Sequence, residues 1–259
     1  MESDSKSVKD TDLESLSSTG RIDAGGINLR IEMRSDMENK DDRNKDNRIE
    51  AIIFDLDGTM WNALDGIHQT WNQVVANHSE YRKEPISFEE LEGCLGLPMT
   101  DIAAKLFPGT TAEQQQALMD ECCAVENAYL SEHGGILYPR LEETLLELKR
   151  NYKLFVVSNC QQGYIESFIK AHKLAKCFDD IECWGNNLLP KGENNKLIME
   201  RNGVTRAVYV GDTAGDEKSA RVAGIPFIYA EYGFGEAKAP DYRLEAFAKL
   251  PELMKQIVS

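Results

Sequence analysis

Ala51-Ile52-Ile53-Phe54-Asp55-Leu56-Asp57-Gly58-Thr59 is the stretch that decides the fold of this chain. Its first four residues form an apolar run of strand length, the pattern of a strand buried on both faces. Two carboxylates follow, two residues apart, on a Gly-containing turn. An ionised carboxylate beside a buried strand is costly unless a cation offsets it. The stretch therefore points to a metal site at the C-terminal end of a strand. The competing reading is an ordinary Asp/Gly turn that closes the strand.

Later segments favour the metal site. Lys153-Leu154-Phe155-Val156-Val157 reads as a second strand and ends in Ser158-Asn159. Ala207-Val208-Tyr209-Val210 reads as a third and runs into Gly211-Asp212-Thr213-Ala214-Gly215-Asp216. Lys191 lies between them, in a loop after Pro190 and before a helix-like stretch. Ligands of open parallel α/β sheets bind beyond the carboxyl ends of the strands. Here three strands in order deliver polar groups to that edge, with a lysine.

This ordered set resembles the haloacid dehalogenase (HAD) superfamily of phosphoryl-transfer enzymes, over roughly Ile49 to the C-terminus. The set is specific in this order; the serine and the lysine alone are weak signals. It is most similar to the phosphoglycolate-phosphatase-like branch with a helical cap. The resemblance implies an α/β fold, a doubly wound parallel Rossmann-like core with a small helical cap inserted. It implies Asp55 as nucleophile, forming an aspartyl-phosphate that splits one displacement into two. It implies Asp57 as the acid that protonates the leaving oxygen and the base that then activates water. Dehalogenase and phosphonatase branches lack an acid at that position, so Asp57 favours ester chemistry. Lys191 is expected to offset the carboxylates, with Thr59, Ser158 and Asn159 binding the phosphoryl group. Mg²⁺ is the implied metal, held by Asp55, Asp212, the Asp57 backbone carbonyl and Asp216, directly or through water. Plainer roles compete: a helix cap for Ser158 and a helix N-terminal acid for Asp216.

Organisation along the chain agrees. Residues 1–48 are rich in Ser, Asp, Glu, Lys and Arg without a sustained apolar period, the composition of a disordered tail. Residues 49–62 and 136–259 read as the core, and 63–135 as the cap. Within the cap, 62–78 is an amphipathic helix, Ser87 caps a short one, and 111–132 is the longest, through Leu118, Cys122, Val125 and Tyr129. No strand signal is read between 61 and 135. Ile181–Trp184 and Ile225–Ala230 read as further strands.

Composition narrows the partners. The 259 residues carry 29 basic and 44 acidic side chains, a formal charge of −15, which argues against non-specific nucleic-acid binding. No apolar run is long enough to span a membrane, no signal-peptide core opens the chain, and the cytosol is the expected compartment. The six cysteines form no CxxC pattern, and Cys160, beside Ser158-Asn159, reads first as a bystander thiol, the competing reading being one whose oxidation slows the enzyme. The expected substrate is a small phosphorylated metabolite, with phosphoglycolate the leading candidate by resemblance. Trp61 and Asn62 are placed to border the site. The turn over 95–100 carries no Arg or Lys, and Lys105 and Arg140 are the nearest cations in sequence. Arg140 departs from the resembled family, where a glycine commonly follows the Tyr-Pro pair. The alternatives are a phosphosugar mutase of the same superfamily and a non-catalytic interaction protein on this fold.

Overall fold

The strand Ala51–Phe54 (β1) has no solvent exposure on either face. Ile52 and Phe54 pack into one apolar cluster, Ala51 and Ile53 into another. Successive strand side chains point to opposite faces, so two clusters mean that both faces of the sheet are covered. The computed structural model describes residues 48–258. The tail read from composition falls almost wholly on residues 1–47, outside the described residues.

Six strands form one sheet, and every pairing in it is parallel. After β1 come Trp61–Asn62 (β2), Ile136–Leu137 (β3), Lys153–Ser158 (β4), Asp180–Cys183 (β5), Ala207–Gly211 (β6), Phe227–Ala230 (β7) and Tyr242–Leu244 (β8). The sheet order is β5-β4-β1-β6-β7-β8. The chain leaves β1 for β4 and β5, then crosses to β6, so β1 lies at the switch point where ligands bind. Helices Lys191–Arg201 and Ala214–Ala223 supply Ile198, Met199 and Ala220 to one face. Helices Leu141–Leu148, Tyr164–His172 and Leu250–Val258 supply Leu145, Phe168 and Met254 to the other. Each of these side chains larger than alanine contributes roughly 1.5–3 kcal/mol on burial.

The segment between β2 and β3 is helical: Leu64–Asn77 (α1), Phe88–Glu92 (α2), Met99–Leu106 (α3) and Ala112–His133 (α4). Ser87 and Thr111 close capping boxes with Glu90 and Gln114, which fixes where α2 and α4 begin. The stripe expected on α4 is rotated. Its buried residues are Leu118, Met119, Cys122, Glu126 and Leu130, while Val125 and Tyr129 are half-buried. The absence of strand between 61 and 135 also needs correction. Trp61–Asn62 pairs antiparallel with Ile136–Leu137, a ladder too short to show a period of two. That ladder carries the chain out of the sheet and back. Lys191 opens a helix rather than sitting in a loop, because Pro190 takes the extended N-cap position.

Candidate active site

Phe54 of β1 is in register with Val156 of β4 and Val210 of β6. Asp55, Ser158 and Asp212 therefore leave the same edge of the sheet within two residues of one another. Gly58 turns the chain there, with φ of 76°. A Cβ at Gly58 would stand 2.2 Å from Asp212 Oδ2, and one at Gly233 2.2 Å from Asp212 Cβ. Only glycine permits this approach, so two turns press closely against Asp212.

Asp55, Asp212 and Asp216 each offer a carboxylate oxygen within 4.8 Å of the others, and all three are buried. Lys191 Nζ lies 2.8 Å from Asp55 Oδ1 and 2.8 Å from Asp216 Oδ1. The contact with Asp216 is a hydrogen bond. The one with Asp55 is close but misaligned, so the buried Asp55 Oδ1 has no hydrogen-bond partner. Burial, and then Asp216, push the Asp55 carboxyl up to about 8 despite Lys191. Burial and Asp216 likewise push Asp212 up to about 7. Burial works to raise Asp216 as well, but Lys191 and the Thr213 donors outweigh it and hold that group ionised. Lys191 stays charged because Asp216 and Asp55 outweigh its burial.

Asp216 is fully engaged. Its Oδ1 accepts from Lys191 Nζ and Tyr209 Oη, and its Oδ2 from Thr213 Oγ1 and the Asp212 and Thr213 backbone amides. A carboxylate offers about four lone-pair sites, so little capacity is left for a direct metal bond. Asp216 is also the acid that closes the capping box of helix Ala214–Ala223 with Thr213. Asp55 and Asp212 differ: burial and the Asp216 charge raise their affinity for a proton, and a bound cation would offset the same charge. An all-oxygen, buried donor set fits a hard ion such as Mg²⁺.

Asp57 stands at the rim of this cluster. Its Oδ1 accepts from Trp61 Nε1 at 2.9 Å and from Tyr164 Oη at 2.7 Å. The protein crowds it enough to push it up to about 6, against those two hydrogen bonds. A carboxyl near neutrality can both give and take a proton at physiological pH. Trp61 is fully buried and holds Asp57 rather than bordering the site, and Asn62 turns inward to accept from the Leu64 amide. Thr59 is buried and its hydroxyl donates to Asp212 Oδ1 at 3.3 Å. Ser158 lines the cleft and does not cap a helix; the next one starts at Tyr164 with Gly163 as its cap. Asn159 Nδ2 donates across the cleft to the Gly96 carbonyl at 3.0 Å. Cys160 also lines the cleft, but burial, with Cys183 beside it, holds its thiol well above the ordinary value and suppresses the reactive thiolate.

The cleft above this cluster is a cavity of about 70 Å³. The strand ends form its floor and α1, α3 and the loop after α2 its roof. Three contributors were missed from sequence: Tyr164, Gln161 and Glu126. Glu126 is 2% exposed and accepts from Trp71 Nε1 at 2.6 Å. A carboxylate at the i+4 position from Cys122 on an amphipathic helix was its available signal.

Comparison with known proteins matches residues 52–230 to the model of the haloacid dehalogenase-like hydrolases. A phosphoglycolate phosphatase of Shigella boydii is 24% identical over 235 residues, covering 76% of this chain and 87% of its own. One of Pseudomonas putida is 22% identical, covering 73% and 72%. Among solved structures, a haloacid dehalogenase-like family hydrolase from Streptococcus pneumoniae matches with a TM-score of 0.68 at 22% identity, over 79% of this chain and 98% of that one. CbbY from Rhodobacter sphaeroides, solved with phosphate, matches with a TM-score of 0.68 at 22% identity, over 78% and 96%.

Proposed function

The chain belongs to the haloacid dehalogenase-like hydrolases, and from that premise we propose that it is a Mg²⁺-dependent phosphatase of small phosphomonoesters. The observation that carries the reading is the buried Asp55 carboxylate at the end of the central strand, ion-paired to Lys191 and gathered with Asp212 and Asp216. A nucleophile must be held rigidly in place for in-line attack. Asp55 attacks phosphorus, the ester P–O bond breaks, and an aspartyl-phosphate forms. Asp57, protonated at the oxygen that Trp61 and Tyr164 leave unbonded, gives its proton to the departing alkoxide. It then takes one from the water that attacks the aspartyl-phosphate, releasing inorganic phosphate and restoring Asp55. Lys191 and Ser158 hold the phosphoryl oxygens, and Asn159 contributes its backbone amide beside them.

Asp55 and Asp212 would hold the Mg²⁺, with the Asp57 carbonyl as a third ligand and Asp216 acting through water. The bound ion would neutralise charge on the phosphoryl oxygens. Thr59 orients Asp212, and Asp216 orients Lys191. The helical insertion caps the site and excludes water from the reacting atoms. Six free thiols support a reducing compartment such as the cytosol. The names of the curated relatives put phosphoglycolate first among esters to try. The test is phosphate release from a panel of small phosphomonoesters, with Mg²⁺ and with EDTA. Release that needs Mg²⁺ and is lost in Asp55→Asn supports the reading; release that persists in Asp55→Asn contradicts it.

A further inference from the structure

Tyr164 opens helix Tyr164–His172 and is 2% exposed, yet it lines the cleft and its hydroxyl reaches Asp57 Oδ1 at 2.7 Å. Its ring stands edge-on to Trp61, with centroids 5.6 Å apart, and Trp61 stands edge-on to Phe168 of the same helix at 5.0 Å. Trp61 sends its Nε1 to the same Asp57 oxygen at 2.9 Å. The two donors thus brace each other as well as the carboxyl.

The helical insertion fixes the start of this helix. Gly163 precedes Tyr164 at φ 90°, in the left-handed region, and a Cβ there would stand 2.9 Å from Asn127 Nδ2. Asn127, on α4, donates to the Gln162 carbonyl at 2.9 Å and accepts from Gln161 Nε2 at 3.1 Å. Its own carbonyl accepts from Ser167 Oγ at 3.1 Å. The Tyr164 hydroxyl is therefore delivered from a fixed point.

An indole N–H only donates, so Asp57 Oδ1 has to stay bare and the exchangeable proton belongs to the other oxygen. The last torsion of an aspartate side chain is broad and roughly two-fold. One hydrogen bond leaves the carboxyl free to swing about that torsion; two on the same oxygen hold it. A reacting group misplaced by about 1 Å can cost on the order of 10²-fold in rate.

We propose that Tyr164 is a positioning residue: with the Trp61 indole, its hydroxyl aims the Asp57 proton at the leaving oxygen, so that the chain cleaves esters of alcohols too basic to leave as alkoxides. This rests on the phosphatase reading and adds to it a residue outside the carboxylate and lysine set. The Asp57 proton passes to the ester oxygen as the P–O bond breaks, and the alcohol departs neutral. Tyr164 neither gains nor loses a proton.

The experiment compares kcat/KM of wild type and Tyr164→Phe, in Mg²⁺, for the best alkyl ester of the panel and for acetyl phosphate. Both substrates carry the same phosphoryl group. Acetate is a weak base and leaves without a proton, whereas an alkoxide does not. This parameter ends with departure of the leaving group, so the later work of Asp57 on water does not enter. The alkyl ester should lose about ten- to a hundredfold, and acetyl phosphate should stay within about twofold. In the Asp57→Asn background, Tyr164→Phe should cost the alkyl ester nothing further. The ratio of the two substrates does not depend on the folded fraction, and Trp61→Phe, which removes the other donor, should shift it the same way. A merely structural role would lower both substrates alike. Equal losses, an unchanged alkyl ester, a further loss in the Asp57→Asn background, or a wild type inert to acetyl phosphate overturns the proposal. No Mg²⁺-dependent release from any ester would instead overturn the phosphatase reading, and this inference with it.

Discussion

Asp57 shows how single atoms assign a role. With Trp61 and Tyr164 both on Oδ1, the proton it exchanges is confined to the other oxygen. Asp57→Asn keeps the backbone carbonyl and the shape but cannot transfer a proton. Turnover should fall by about 10²–10⁴-fold while metal binding persists; full activity in steady-state assays would remove the acid/base assignment. Arg140 is a second case. The resembled family places a glycine here, and the reason is visible: Arg140 sits at φ 61°, in the left-handed region. That conformation costs an L-residue roughly 1–2 kcal/mol, and its exposed bridge to Glu143 returns little. Arg140→Gly should therefore raise stability by about 0.5–1 kcal/mol after the entropy cost of glycine, read by urea denaturation. Sequence disclosed the departure at 140 but not its backbone angle. It likewise disclosed Trp61 but not that the ring nitrogen reaches back four residues to Asp57.

At the scale of elements, strands with continuous apolar runs were legible and short ladders were not. β1, β4 and β6 announce themselves because burial on both faces demands apolar residues throughout. β2 and β8 are two and three residues long, below any readable period. On α4 the buried face was misplaced because Glu126 interrupts it, and a carboxylate does not advertise a core position. Its burial carries a consequence for stability. Burial pushes Glu126 up to about 8 from an ordinary 4.5, against the Trp71 hydrogen bond, with the Asp57 charge adding to the rise. The folded state thus binds a proton that the unfolded state has lost between those values. The stability it contributes is complete below about 4.5 and declines as pH rises toward about 8. Glu126→Gln should flatten that decline by up to a few kcal/mol. Denaturant midpoints of both proteins at mildly acid and mildly alkaline pH check it; parallel pH curves would show that Glu126 does not titrate as described.

For the whole molecule, the formal charge of −15 works against an anionic substrate. Among the described residues the cleft offers Lys191 as its one cationic side chain, with Asp55 and Asp216 beside it, so under the proposed function a bound Mg²⁺ would add to the attraction of an ester. The two buried aspartates at the strand ends, Asp55 and Asp212, also destabilise the metal-free fold. Saturating Mg²⁺ should raise the melting temperature, by about 2.7 kcal/mol of stability at a hundredfold excess over Kd. Asp212→Asn should lose that shift. A wild-type melting temperature indifferent to Mg²⁺ would contradict the assigned ligand set. The sheet order was foreshadowed by three strands ending in polar groups, whereas the cation-poor, apolar roof needed the helices in place. In the proposed function, covalent transfer through Asp55 is what unites sheet, helical insertion and carboxylates. The direct measurement is a rapid acid quench of the enzyme with Mg²⁺ and a radiolabelled phosphomonoester, followed by peptide mapping. The account predicts label on the peptide that carries Asp55, absent in Asp55→Asn. Label on another residue, or turnover by Asp55→Asn, would contradict it.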